Sequence, residues 1–138
     1  ILKEISMQPF YASIEANKLG YDEGIMNDMN GNISTCNSTN LFFIKDNTVF
    51  TSTGKYCLNG ITRGKAILVC NQNNIACSET NFTFENIKNC NEAFVTGTFA
   101  GIIPVSQLEG RKLESTNSDS LANKIRMLYN QEIQDHIG

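Results

Sequence analysis

Leu58-Asn59-Gly60-Ile61-Thr62-Arg63-Gly64, running on into Ala66-Ile67-Leu68-Val69, sets the frame in which the other segments can be read. The glycines and the threonine introduce helix-forming residues, which predicts a helix over residues 63–72 ending near Asn73-Asn74. Gly60 permits a sharp turn, and Thr62 is placed to cap the first turn, its hydroxyl accepting from exposed N–H groups. Such a helix start presents unpaired donors and the positive end of the macrodipole, which suit a phosphate or a carboxylate. An ordinary capped helix explains the same residues. A second bend, Thr96-Gly97-Thr98-Phe99-Ala100-Gly101, follows strand-like residues 92–95 and again offers hydroxyls and free amides. Two such bends can close on one phosphate.

The totals narrow the function classes. A chain of 138 residues is one domain's worth, long enough for a real core. Eleven basic against 14 acidic side chains leave a net charge of -3, so a nucleic-acid partner is not expected. No apolar run reaches membrane-spanning length and nothing at the start reads as a signal peptide, so no membrane partner is expected either. Cys36, Cys57, Cys70, Cys77 and Cys90 are scattered, lack any CxxC pair and have only His136 for company. That is a poor metal set; it reads as reduced thiols in a cytoplasmic protein. Without a neighbouring His, Cys36 makes a poor nucleophile.

Taken in order, the chain begins abruptly at Ile1, as a fragment would. Residues 7–19 read as a helix with Phe10, Ile14 and Leu19 on one face, Pro9 in its first turn and Gly20 at its end. A short strand over 23–28 turns at Asn30-Gly31. The dense polar run Ser34-Thr35-Cys36-Asn37-Ser38-Thr39-Asn40 reads as a loop, either solvated or lining a polar pocket. Residues 41–45 and 48–51 form a hairpin about Asp46-Asn47. A strand over 75–79, a short helix over 83–89 and a buried strand over 92–96 follow. Residues 102–108 read as one strand, with Pro104 marking an edge or bend. Ser118 or Asp119 caps a last helix reaching about His136, with Leu121, Ile125, Leu128 and Ile133 on one side. Hairpins mixed with helices, without strict βαβ alternation, argue for α+β.

Leu-Asn-Gly-Ile-Thr-Arg at 58–63 and Phe-Val-Thr-Gly-Thr-Phe-Ala-Gly-Ile-Ile-Pro-Val at 94–105 resemble the C-terminal domain of class IV (fold type IV) aminotransferases. These are pyridoxal-phosphate enzymes that include the branched-chain and D-amino acid aminotransferases. Residues 31–43 fit the same pattern, so the likeness spans residues 15–105. It implies an α+β fold, a mixed β-sheet or pseudo-barrel with flanking helices. Residues 1–138 would then be a single cofactor-binding C-terminal domain whose N-terminal domain is absent. It further implies pyridoxal 5'-phosphate, an amino acid (branched-chain-like) and a 2-oxo acid as substrates, and a homodimer with pockets near the subunit boundary. By the same resemblance Gly60, the Ile61 and Thr62 amides, the Thr62 hydroxyl, Gly97 and Thr98 hold the phosphate. Leu58 packs on the ring, and the backbone at Thr98-Phe99 holds the substrate carboxylate.

Two departures stand out. Family aminotransferases place a Glu after the Gly-x-Ile-Ser pattern to keep the ring nitrogen protonated. Here Gly31-Asn32-Ile33-Ser34 is followed by Thr35, which brings no charge to that nitrogen. The family's covalent Lys falls at Ile1 or just before it. Lys3 lies within two residues of the slot, although its plainer reading is an exposed residue on a frayed terminus. Two other readings keep the scaffold: a lyase resembling the aminodeoxychorismate lyases, and a non-catalytic binding domain.

Overall fold

The structure, a computed structural model, describes residues 2–5, 23–27, 33–36, 40–53, 61–87, 89–97, 101–108 and 111–137. The expected helix over 7–19 and the Asn30-Gly31 turn lie outside them. Ten strands make two five-stranded sheets among the described residues. The first holds β1 (Leu2–Ile5), β2 (Glu23–Asn27), β3 (Ile33–Cys36), β9 (Gln107–Leu108) and β10 (Arg111–Lys112), ordered β10-β9-β1-β2-β3. The second holds β4 (Asn40–Lys45), β5 (Thr48–Thr51), β6 (Cys77–Glu79), β7 (Glu92–Gly97) and β8 (Gly101–Pro104), ordered β6-β5-β4-β7-β8. The helices are α1 (Ile61–Gln72), the single turn α2 (Phe84–Ile87) and α3 (Leu121–Ile137). This is the α+β class the sequence indicates, with parallel and antiparallel pairs in each sheet. Its barrel-like character takes the form of two open sheets, because the described strands do not close on one another.

The second sheet is covered on both faces, which explains the unbroken apolar run Leu41-Phe42-Phe43-Ile44 in its central strand. Leu41, Phe43, Ala93 and Val95 pack with Phe82, Ile87, Val105, Leu113 and Leu108. Leu108 belongs to β9, so this core lies between the sheets. Phe42, Ile44, Val49, Phe94 and Ile102 face the other way, onto Ala66 and Cys70 of α1 and Ala122, Ile125 and Tyr129 of α3. The β4–β5 hairpin turns at Asp46 and Asn47 as expected; both have positive φ (52° and 61°), the pair of left-handed residues a tight two-residue hairpin requires.

Four boundaries differ from the sequence reading, each for a local reason. Part of the polar run is strand: β3 pairs with β2 through Ile25↔Cys36 and Met26↔Thr35, backbone bonds that do not need apolar side chains. The strand expected over 75–79 starts only at Cys77, because the Ile75 N–H donates to Cys70 O (2.9 Å) and closes the end of α1 instead. Residues 102–108 split into β8 and β9. Pro104 has no N–H to continue the ladder, the Val105 N–H donates to Ala93 O (2.9 Å), and the chain then crosses to the first sheet. The cap of α3 is Ser120, not Ser118 or Asp119. Its hydroxyl donates to Ser115 O (2.7 Å) and accepts from the Asn123 N–H (3.0 Å), while Glu92 accepts from the Ala122 N–H (2.8 Å).

Gly64 is exposed on α1, with nothing within 4 Å of where a Cβ would sit. Gly64→Ala should therefore stabilise the protein by about 0.5–1 kcal/mol, through helix propensity and a less flexible unfolded chain. A higher urea midpoint at unchanged m-value is the expected result. A lower one would show that the backbone there needs glycine.

Candidate functional site

α1 begins two residues earlier than the sequence indicates, at Ile61, which puts Thr62 inside the first turn rather than in front of it. Its hydroxyl consequently does not cap the helix. It donates to Gly97 O at 3.1 Å, joining the start of α1 to the end of β7 across 35 residues. The two glycine–threonine bends thus meet. The first turn of α1 carries no acidic residue, and Ile61 is 75% exposed, so the free amides of that turn face solvent without a competing anion. Thr62 itself is buried.

Beneath this junction the strand–helix contact is held by small and polar groups. Thr62 and Ala66 lie one turn apart on the inner face of α1, against the side of β7 that carries Phe94. Thr96 lies on that side by strand alternation. It is 2% exposed, and its Oγ1 has no hydrogen-bond partner among the described residues. A buried hydroxyl in want of a partner, one residue from the Thr62–Gly97 bond, belongs in a polar environment. Free helix amides, no nearby acid and this hydroxyl form a donor set that fits a phosphate. Gly101 opens β8 on the far side of the bend at φ +69°, and a Cβ there would stand 3.2 Å from Tyr129 Cε1. Only glycine takes that conformation beside that ring without strain.

Arg63 was not singled out in the sequence, yet it fixes α1 in place. It is 5% exposed, and its guanidinium donates to Ser52 O at 2.6 Å and to Glu79 Oε1 at 2.7 Å. A cation in a helix's first turn opposes the macrodipole. That conflict was the signal that Arg63 answers to something outside its own helix.

The remaining candidates divide. Leu58, Gly60, Thr98, Phe99 and Ile1 lie outside the described residues. Lys3 is not on a frayed end: β1 is the middle strand of the first sheet, and Lys3 pairs with Gly24 of β2. Thr35 belongs to the same sheet, in register with Met26, which is in register with Ile5. The structure therefore brings Thr62 and Gly97 together, and separately sets Lys3 and Thr35 two strands apart in one sheet.

Residues 4–108 match the family described as amino-transferase class IV. A probable branched-chain-amino-acid aminotransferase of Rickettsia felis is 31% identical over 122 residues, covering 88% of this chain but only 42% of that protein. The chain thus spans less than half the length of this relative. Branched-chain amino acid aminotransferase from Escherichia coli superposes with a TM-score of 0.84 at 27% identity, over 91% of this chain and 50% of that one. An aminotransferase from Brucella abortus, solved bound to the co-factor PLP, shares the fold at a TM-score of 0.89 and 22% identity, over 96% of this chain and 54% of that one.

Proposed function

This chain belongs to the class IV amino-transferases, and we propose that it is the cofactor-holding domain of an enzyme that moves an amino group between a branched-chain amino acid and a 2-oxo acid, using pyridoxal phosphate. One observation carries this reading: the Thr62–Gly97 hydrogen bond, which sets the open amides of α1 beside the end of β7. The Ile61 and Thr62 amides, the Gly97 bend and Thr98 hold the phosphate. Leu58 packs on the ring, Thr35 stands at its nitrogen and the Thr98-Phe99 backbone takes the substrate carboxylate. When bound, the cofactor supplies an electron sink for negative charge at the substrate's α-carbon. With a neutral hydroxyl in place of an acid at the ring nitrogen, that sink is weaker than in Glu-bearing relatives.

The chain's own residues orient and anchor. Thr62 spends its hydroxyl proton on Gly97 O, so it holds the bend in place and leaves its amide to the anion. Arg63 keeps the helix start against β5 and β6. The rest of the enzyme, a homodimer on this reading, supplies the second pocket wall and the choice of substrate.

Titration of the full chain with pyridoxal phosphate tests the proposal. Thr62→Val keeps the shape and deletes the link, and should weaken affinity about five- to tenfold, the worth of roughly 1 kcal/mol of hydrogen bonding. Pyridoxal lacking the phosphate should bind the natural chain and the variant equally. Unchanged pyridoxal-phosphate affinity in a folded variant would reject the site. Elimination without amino transfer by the assembled enzyme would favour the lyase reading.

A further inference from the structure

Cys70 and Cys77 are adjacent thiols with no part in the proposed cofactor site. Cys70 sits near the end of α1, fully buried, and its carbonyl accepts from the N–H groups of Asn73 (3.2 Å) and Ile75 (2.9 Å). The chain therefore folds straight back. Cys77 opens β6 in register with Val49, is half-buried and packs against the same core as Cys70. Both thiols are free, and they hydrogen-bond to each other. Cys90, the other free thiol among the described residues, instead lies against Arg111.

We infer that Cys70 and Cys77 are a peroxide-responsive dithiol, which closes to a disulfide within the folded chain. The division of labour follows from the contact. The bond from Cys70 lowers the Cys77 pKa, with help from Arg63 and against burial and Glu79. The same bond, and burial, raise that of Cys70. The more accessible sulfur is thus the better nucleophile, with a protonated partner beside it. The Cys77 thiolate attacks hydrogen peroxide: an S–O bond forms, the O–O bond breaks and hydroxide leaves. Cys70 sulfur then attacks Cys77 sulfur: the S–S bond forms, the S–O bond breaks, and the departing hydroxyl takes the Cys70 proton as water. Two thiols are oxidised and one peroxide is reduced to two waters. The sulfurs need only close from hydrogen-bond contact to ~2.05 Å. The product ties the end of α1 to β6, the two elements that Arg63 and Glu79 already join at the helix's other end.

The test treats the reduced full-length chain with hydrogen peroxide, blocks remaining thiols after denaturation and maps the peptides. The expected result is a Cys70–Cys77 cross-link, reversed by dithiothreitol. In Cys70→Ser, Cys77 should instead be trapped by dimedone as the sulfenic acid. In case that variant does not fold, the natural chain is also oxidised in urea, where the same cross-link should form roughly tenfold more slowly or worse. Sulfinic acid at Cys77 beside a free Cys70, cross-links spread over other cysteines, or an equal rate in urea would each overturn the inference.

Discussion

Phe94→Ala should cost about 3–5 kcal/mol, enough to bring a domain of ordinary stability close to unfolding. Phe94 is fully buried in β7, and its ring stacks on that of Phe42, the residue opposite it on β4, with centroids 4.7 Å apart and planes 10° from parallel. It lies in the layer shared by the second sheet, α1 and α3, so its removal leaves a cavity lined from three sides. Little can collapse into it, because strand pairing holds β4 and β7 at fixed spacing. Phe94→Leu fills most of the volume and should cost well under half as much. Urea unfolding of both variants gives the comparison, and a loss below about 1 kcal/mol for the alanine would mean that the layer repacks freely.

Arg63→Ala is expected to lose about 2–4 kcal/mol, for a different reason. The guanidinium is buried, but its partners are unequal. Ser52 O is a buried carbonyl, whereas the Glu79 side chain is 47% exposed and recovers water when the arginine goes. Most of the loss should therefore come from the carbonyl side, and Glu79→Gln should cost less than about 1 kcal/mol. Arg63→Lys should lose nearly as much as the alanine variant, since a point charge cannot reach both acceptors in fixed geometry. A double-mutant cycle between Arg63→Ala and Glu79→Gln checks this division. A coupling as large as the whole Arg63 effect would contradict it.

These two side chains also show what was legible in advance. Phe94 lies in a strand whose apolar run is plain in the sequence, and its neighbour hairpin announces itself through Asp46-Asn47. Thr62 and Gly97 were both marked by glycine–threonine composition. That the hydroxyl of one binds the carbonyl of the other was not, because a hydrogen bond across 35 residues leaves no periodic trace. Arg63 was missed for the same reason, its partner Glu79 lying 16 residues away. The α3 cap was hidden in a different manner. Ser115-Thr116-Asn117-Ser118-Asp119-Ser120 offers six polar residues in a row, and only the Ser115 carbonyl singles out Ser120. β9 and β10 are two residues each, too short for any pattern, and exist because β1 and each other are there to pair with.

The middle position of β1 has its own outcome. Leu2 is matched on one side to Glu23 and on the other to Leu108, about a hundred residues downstream. During synthesis the earliest strand must wait, one flank open, until nearly the whole polypeptide has been made. The Asp46-Asn47 hairpin needs only its own dozen or so residues and is free to assemble at once. The helix-backed layer is thus the natural seed, and the other sheet is the last piece to be sealed.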